Sequence, residues 1–342
     1  MSSADGLGVL LVGGSGFLGA HVTRALTADG HRVTVLARGR HPDLPGIETL
    51  RADRRDPPAL AAALEGRQFE LTVDFLVYDE VDIERLWLAP HASLGRYLMI
   101  STGQVYLVTE GAESPFREPD AEGPVMAEPE AGGEDHAQWS YGVGKRRAER
   151  ALFALRATHG LRAAALRLPI LQGEGDGTLR LWAWIERLLD GGPVLLPEGG
   201  ERPIRHLAAD DLAAAIVRLA RGEAPRHEAY NLAQSDVVTL RAFLERVGAA
   251  AGVKPKFVDV SWPEIRAAGI DADALPYAGR WSSVLDPARA AGEWGLVGAP
   301  TDEYLPRVVR WHLEHRPEHS HRGYAQRPRE LELAARLGAG AR

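Results

Sequence analysis

Three side chains in the sequence could together move a proton to or from a carbonyl or alcohol oxygen. Tyr141 and Lys145 are four residues apart, so in a helix their side chains lie on one face. A phenol has a reference pKa near 10, and a neighbouring ammonium group makes it more acidic. Thr102 follows an apolar run and could hold the same oxygen by a hydrogen bond. Because this Tyr–Lys spacing is common in ordinary helices, the pair indicates chemistry only beside a cofactor site.

A glycine turn near the amino terminus predicts such a cofactor site. Gly13, Gly16 and Gly19 follow the apolar run 7–12, and a helical pattern begins at Phe17 and Leu18. Glycines permit a tight turn in which backbone amides approach a diphosphate, and the helix N-terminus adds partial positive charge. The alternative is an ordinary strand-to-helix turn with incidental glycines. The strand–turn–helix context favours dinucleotide binding by these five residues.

The end of the second predicted strand indicates which dinucleotide binds. An acidic residue there would hydrogen-bond the ribose of NAD, whereas arginine accommodates the additional phosphate of NADP. Arg38 and Arg40 stand at this point with no carboxylate beside them, which favours NADP(H) over NAD(H) because arginine binds phosphate in a bidentate way. A solvated surface pair is the alternative. Asp53, after the third strand, could contact adenine or be an ordinary turn residue.

The elements that must position these residues alternate between strand and helix. Apolar runs at 7–12, 32–37, 71–78 and 97–101 are separated by helical patterns such as 17–28. We therefore predict an α/β, Rossmann-type, doubly wound parallel sheet with a smaller C-terminal substrate-binding region. Between Leu107 and Ser140, nine acidic residues, four prolines and four glycines predict a long loop, after which a helix begins at Tyr141.

The predicted domains follow from this pattern. Residues 1–170 form the NAD(P)-binding domain, and a late strand near 228–234 rejoins its sheet. Residues 171–315 form the substrate-binding region, with the active site in the cleft between the two. Residues 316–342, rich in arginine, are a tail or a docking helix.

Composition excludes several classes of site and partner. The absence of cysteine excludes disulfides, thiolate nucleophiles and cysteine-held metals. Forty basic against 47 acidic residues give a net charge of −7, so we expect no nucleic-acid partner. The partner expected for the predicted cofactor site is a small-molecule substrate. Without a long apolar run we expect no membrane segment and a cytoplasmic location. Four histidines have spacing that could hold a metal, but a solvated tail fits them better: His312, His315, His319 and His321.

Taken together, the motifs resemble the extended, atypical short-chain dehydrogenase/reductase superfamily, the group of NAD-dependent epimerases and dehydratases. The resemblance covers about 300 residues and rests on motifs in matching order: Gly13-x-x-Gly16-x-x-Gly19, Asp53, Ser101 to Tyr106, Tyr141-x-x-x-Lys145 and Arg167-Leu168-Pro169.

The resemblance implies roles for particular residues. Tyr141 would be the acid/base, Lys145 its partner and a ribose ligand, and Thr102 the third catalytic member. Further cofactor contacts would come from Arg54, Val77 and Pro169. Gln104 and Arg205 would contact substrate; for Arg205 the alternative is a structural ion pair with an Asp. The resemblance also implies a homodimer through the helix that carries Tyr141.

Departures from the family pattern narrow the reaction. Dehydratases of the family carry Asp-Glu after the catalytic threonine, where this chain has Gly103-Gln104, so dehydration is not expected. The fourth strand ends in Val77-Tyr78, where the family has small residues beside the cofactor ribose.

The reaction predicted is hydride transfer between nicotinamide and a carbonyl or carbinol carbon, as an NADPH-driven reduction. One alternative is a sugar-nucleotide 4-epimerase with tightly bound NAD. The other is a non-catalytic relative that senses a dinucleotide or binds RNA.

Overall fold

The computed structural model describes residues 6–87 and 93–340 of the chain. Its strands, in chain order, are β1 (Gly8–Val12), β2 (Arg32–Ala37), β3 (Glu48–Arg51), β4 (Leu71–Asp74), β5 (Arg96–Thr102), β6 (Ala163–Leu168), β7 (Leu171–Gln172), β8 (Val194–Pro197), β9 (Pro203–Ile204), β10 (Leu207–Ala208), β11 (Ala229–Asn231), β12 (Val238–Thr239) and β13 (Phe257–Val260).

The α-helices of the same residues are α1 (Phe17–Ala28), α2 (Pro57–Leu64), α3 (Glu80–Trp87), α4 (Gln104–Leu107), α5 (Glu134–His159), α6 (Arg180–Leu189), α7 (Ala209–Arg221), α8 (Leu240–Ala251), α9 (Trp262–Ala267), α10 (Ala288–Trp294), α11 (Thr301–Glu314) and α12 (Arg327–Gly340).

Seven strands form one parallel sheet in the order β11-β6-β5-β4-β1-β2-β3. Val9, Leu10 and Leu11 are all fully buried, and because successive strand residues point to opposite faces, the sheet is covered on both sides. The strand order reverses between β1 and β4, and ligands of such sheets bind beyond the carboxyl ends of the strands at this point. The predicted Rossmann-type fold is confirmed.

The described residues divide into two compact units. The first runs up to Pro169 and also contains Ala209–Ala233 and Leu285–Gly298; the second contains Ile170–Ala208, Gln234–Val284 and the chain from Ala299 onwards. The division therefore differs from a continuous 171–315 region, because α7 packs against α1 and β11 pairs with β6. A chain segment that completes a sheet folds with that sheet, wherever it lies in the sequence.

The core of the second unit is apolar and contains the tryptophans of α6. Trp184 is fully buried and its Nε1 donates a hydrogen bond to the Pro276 carbonyl at 3.0 Å. Trp182 packs in the same cluster as Phe243 of α8 and Leu305 of α11. These tryptophans are core residues.

Residues beyond 315 contain an ordered helix. In α12, the Glu330 carboxylate accepts hydrogen bonds from Arg187 of α6 at 2.6 and 2.9 Å. Both side chains are 0% exposed. This ion pair fixes α12 to the second unit.

The loop predicted from composition for residues 107–140 is shorter in the structure. Helix α5 begins at Glu134, seven residues before the predicted start at Tyr141. Glu134 and Asp135 lie in its first turn, where negative charge is favourable to the helix dipole. These two of the nine acidic residues therefore stabilise the start of the helix rather than a loop.

Candidate active site

The glycine turn between β1 and α1 depends on the absence of side chains at two positions. Gly13 has φ of +87°, in the left-handed region, and a Cβ there would lie 2.6 Å from Cγ of Leu76. A Cβ at Gly19 would overlap the Gly13 carbonyl oxygen. Only glycine therefore lets α1 start this close to the end of β1.

The residue that precedes α1 cannot cap the helix. Gly16 has no side chain to accept hydrogen bonds from the backbone amides of the first turn. Phe17 and Leu18 open the helix and are half-buried. The Thr23 hydroxyl donates to the Gly14 carbonyl at 3.1 Å and steadies the turn from within the helix. Because uncapped helix N-termini bind anions, this turn fits the diphosphate of a dinucleotide.

Two arginines and one carboxylate lie at the neighbouring strand ends. Asp53 accepts hydrogen bonds from the Arg55 side chain at 2.9 Å and from the Arg55 backbone at 3.0 Å, while Arg38 Nη1 lies 3.7 Å away. The hydrogen bonds from Arg55, together with the Arg38 charge, hold the pKa of Asp53 well below its usual range. Asp53 is thus ionised and committed to Arg55, and the cluster has a net positive charge.

Arg54, predicted as a cofactor contact, is buried and paired with Asp74. Its guanidinium is buried and donates to Asp74 at 2.8 and 3.0 Å and to the Asp82 carbonyl at 2.5 Å. These contacts tie the end of β4 to α3. Arg54 is buried because the buried carboxylate of Asp74 requires a cation, and Arg54 supplies it.

Contacts of two residues that follow Tyr141 in α5 hold this part of the helix at the carboxyl end of β5. A Cβ at Gly142 would lie 2.9 Å from the Gln104 carbonyl oxygen, so α5 passes close to α4 here. Lys145 Nζ donates a hydrogen bond to the Ile100 carbonyl at 2.7 Å. Gln104 and Ile100 flank Thr102, which ends β5. The three residues of the predicted catalytic set therefore lie at one edge of the sheet.

Lys145 is buried between the sheet and two phenol rings. Its Nζ lies 5.8 Å from the ring centre of Tyr141 and 5.4 Å from that of Tyr78. Burial lowers the pKa of Lys145 to about 8, and Asp74 and Glu149 act in the opposite direction. A buried ammonium close to an aromatic ring is stabilised by the ring and makes a nearby phenolate more favourable.

Tyr78 is a site residue that sequence reasoning did not assign. It is 54% exposed, and its ring centre lies 6.5 Å from that of Tyr141, which is 38% exposed. Gly144 of α5 makes room for it, because a Cβ there would overlap the Tyr78 carbonyl oxygen. Val77, in contrast, is 0% exposed and packs in the core. Its side chain is therefore not available to a cofactor, although its backbone lies beside the site.

The remaining predicted residues near Thr102 are held in place by hydrogen bonds. The backbone amide of Gln104 donates to Thr102 Oγ1 at 3.2 Å, and its side-chain amide donates to Gln138 of α5 at 2.5 Å. Pro169 directly follows β6 and is buried. The preceding Leu168 carbonyl accepts from the Gly103 amide at 2.7 Å. These bonds fix the Thr102 hydroxyl and the backbone that follows it.

Arg205, predicted as a substrate ligand, lies in the second unit and donates hydrogen bonds to the backbone there. Its guanidinium donates to the carbonyls of Gln234 and Ser235 at 2.8 and 2.9 Å. These bonds secure the segment that follows β11.

A buried polar network supports the end of β5 from behind. The Ser101 hydroxyl donates to Glu149 of α5 at 2.6 Å, and Glu149 accepts from Arg167 of β6 at 2.7 Å. Arg167 also donates to the Tyr106 hydroxyl at 2.9 Å. The sequence singled out Arg167 only as a motif residue, and the structure explains it as the cation of this network.

Comparison with known proteins identifies the family. The family model described as "NAD dependent epimerase/dehydratase family" matches residues 9–233, about two thirds of the chain. The chain belongs to this family. The match begins at the second residue of β1 and ends after β11, and thus includes all seven strands of the parallel sheet and the glycine turn.

Individual relatives agree with this assignment. The chain is 28% identical over 347 residues to 2′-dehydrokanamycin reductase of Streptomyces kanamyceticus, covering 98% of this chain and 92% of the relative. It is 24% identical to the chloroplast stem-loop binding protein of 41 kDa b of Arabidopsis thaliana, covering 86% and 78%. The dTDP-glucose 4,6-dehydratase DesIV of Streptomyces venezuelae, solved with NAD and TYD bound, has a TM-score of 0.68 at 20% identity, covering 90% and 98%.

As an epimerase/dehydratase family member, the chain is an NAD(P)-dependent enzyme of the extended short-chain dehydrogenase type. Within residues 6–87 and 93–340, no three His, Asp or Glu side chains are grouped so that they could hold a metal ion. No helix in that part of the chain is both long and apolar enough to cross a membrane.

Proposed function

We propose that this enzyme uses NADPH to reduce a ketone on a small, sugar-derived substrate. The observation that carries the proposal is the placement of Tyr141 and Lys145 on one face of α5, held at the β5 end that presents Thr102. The Gly103-Gln104 pair after Thr102 supplies no acid and base for dehydration. The likeness to 2′-dehydrokanamycin reductase supports a sugar-derived ketone as substrate.

Each residue of the site would have a separate role in the reduction. A nicotinamide dinucleotide held at the glycine turn supplies the hydride. The Thr102 hydroxyl donates a hydrogen bond that orients the substrate oxygen, and the Tyr141 hydroxyl donates the proton to that oxygen. The Lys145 ammonium stabilises the phenolate that remains. Gln104 positions the Thr102 hydroxyl, because its backbone amide donates a hydrogen bond to Thr102 Oγ1.

The preference for NADPH rests on the positive cluster beyond β2 and β3. Arg38 and Arg55 share a single carboxylate, Asp53. The additional phosphate of NADP would neutralise the excess positive charge of these two arginines. Arg38 is the better candidate ligand, because Arg55 is held by hydrogen bonds to Asp53. The homodimer through α5 and the cytoplasmic location stay predictions of the family resemblance and of composition.

Arg38→Ala is expected to weaken NADPH binding about tenfold or more, the cost of one charge-assisted hydrogen bond, and to leave NADH binding unchanged. Fluorescence titration with each reduced nucleotide measures both affinities. Arg24→Ala, at an exposed position of α1, is the charge-matched control and should change neither. Equal weakening of NADPH and NADH by Arg38→Ala would contradict the NADP preference.

The activity is expected to depend on the charge of Lys145. With a pKa of about 8, Lys145 is a cation below that pH and neutral above it, so kcat/KM for reduction should fall as pH rises through about 8. Lys145→Met should lower kcat/KM about 100-fold and remove this decrease. A pH–rate profile of both enzymes measures the effect. A profile of the same shape in the variant would show that another group titrates.

The proposal as a whole is tested by NADPH consumption with 2′-dehydrokanamycin as the ketone. Turnover with NADPH and product alcohol supports reduction. Purified enzyme that carries NAD and ignores added NADPH would instead indicate the epimerase alternative. Selective binding of stem-loop RNA without turnover would indicate the non-catalytic alternative.

A further inference from the structure

An arginine-rich cleft of about 610 Å³ lies in the first unit, beside the C-terminal half of α5. Its lining comes from α5, from β6, from the turn that follows Arg117, from α10, and from β11 with the segment before it. Six of the lining side chains are arginines: Arg146, Arg150, Arg156, Arg167, Arg226 and Arg289.

The cleft is separate from the candidate active site. Arg150 follows Tyr141 by nine residues, which places it about 180° around α5 and about 13 Å further along the helix axis. Lys145 and Gly142 face β5 and α4, whereas Arg146 donates to Thr109 Oγ1 and to the Gly123 carbonyl at 2.6 Å each. A ligand in the cleft would therefore not occupy the site of Tyr141.

The charge of the cleft is positive on a chain that is negative overall. Its lining has six arginines against four glutamates, a net charge of +2, whereas the whole chain has −7. Glu149 is paired with Arg167 at 2.7 Å, and Glu118 lies 3.6 Å from Arg289. Glu122 and Glu228 are the other two acidic residues of the lining.

Four arginines of the lining have no carboxylate partner among the residues the structure describes. Arg156 donates only to backbone carbonyls, including that of Ala163 at 2.6 Å, and Arg146 only to neutral oxygens. Arg150 and Arg226 are exposed, with no side-chain hydrogen bond within the described part of the chain. Burial, and then repulsion from Arg150, lower the pKa of Arg146. An anion near these groups would relieve that repulsion.

We propose that this cleft binds a polyphosphate anion, meaning two or more linked phosphate groups, either free or on a nucleotide. Arginine binds two phosphate oxygens at once in a bidentate geometry. Arg146 and Arg156 are already oriented by their hydrogen bonds to carbonyl and hydroxyl oxygens of the protein. The cleft volume falls in the range of small-molecule and nucleotide sites. Arg150 and Arg226 are the two ligands free to close on the anion.

One hydrogen bond links the lining of the cleft to β5, the strand that ends at Thr102. Glu149 lines the cleft and accepts the hydrogen bond of Ser101, the residue before Thr102. An anion that draws Arg167 away from Glu149 would alter this support. The binding site itself does not depend on the proposed reduction.

Isothermal titration with pyrophosphate and, separately, with ATP tests the site, with saturating NADP⁺ present to fill the glycine turn. We expect binding that weakens as salt rises. Arg150→Ala together with Arg226→Ala should weaken it about a hundredfold, because each substitution removes one charge-assisted hydrogen bond and costs roughly tenfold in affinity. The exposed Arg310→Ala removes the same charge elsewhere and should have no effect.

The relative affinities for ATP and pyrophosphate identify the class of ligand. Tighter binding of ATP than of pyrophosphate supports a nucleotide ligand, and equal binding supports the free anion. Arg150→Glu alone should abolish binding, and circular dichroism confirms that each variant is folded. No binding to the wild-type chain, or equal binding by wild type and the double variant, overturns the proposal whether or not NADPH-dependent reduction is observed.

Discussion

Tyr141→Phe is expected to lower kcat for ketone reduction by about 10²–10⁴-fold, the usual contribution of a positioned general acid. The substitution removes only the hydroxyl that we propose as the proton donor to the substrate oxygen. The ring, its contact with Lys145 and the packing of α5 on α4 through Gly142 stay the same. Steady-state kinetics with NADPH and 2′-dehydrokanamycin measure kcat, and fluorescence titration should show NADPH affinity within about twofold of wild type.

Tyr78→Phe is the matched control, because it removes a phenolic hydroxyl from the adjacent ring. Tyr78 lies as close to Lys145 as Tyr141 does, so distance alone does not select the acid. The proposal that Tyr141 is the acid rests on the family resemblance and on its position on α5. If it is correct, Tyr78→Phe should keep kcat within a few-fold of wild type. A large loss in Tyr78→Phe with little change in Tyr141→Phe would show that Tyr78, and not Tyr141, is the proton donor.

Glu330→Ala is expected to lower the free energy of unfolding by about 3–5 kcal/mol. The substitution leaves the Arg187 guanidinium buried without its carboxylate, although its hydrogen bonds to the Ala183 and Ala274 carbonyls at 2.8 and 3.0 Å are retained. An uncompensated buried charge costs far more than the loss of an exposed pair. Urea denaturation followed by tryptophan fluorescence measures the change, since Trp184 packs in the same unit.

Two controls separate burial from the mere loss of an ion pair. Asp302→Ala breaks the exposed Arg246–Asp302 pair and should cost only about 0–1 kcal/mol. The double replacement Arg187→Met with Glu330→Leu should recover most of the stability, because an apolar pair removes the unpaired charge. Equal losses in Glu330→Ala and Asp302→Ala would contradict the role given to burial.

The parts of the fold that could be predicted are those set by local sequence. Glycines at 13, 16 and 19 after an apolar strand indicated the dinucleotide turn, and the apolar runs indicated the parallel sheet. The start of α5 was predicted seven residues late, because acidic residues near Glu134 were interpreted as a loop signal rather than as favourable first-turn charge.

Most of the site contacts depend on residues far apart in the sequence. Arg54 has the same local appearance as a surface arginine, and only its pairing with Asp74, twenty residues away, places it in the interior. Arg205 binds carbonyls that lie about thirty residues later. The role of Tyr78 beside Lys145 likewise depends on how α5 packs on the loop after β4. No spacing rule in a single sequence contains this information.

The central claim is that Tyr141 acts beside a reduced nicotinamide to form an alcohol. Its most direct test is a single-turnover reaction of the enzyme with 2′-dehydrokanamycin and NADPH deuterated at the transferred C4 position, followed by mass spectrometry of the product. The account predicts an alcohol that carries the deuterium, formed by wild type and lost in Tyr141→Phe. An alcohol without deuterium, or undiminished formation by Tyr141→Phe, would contradict it.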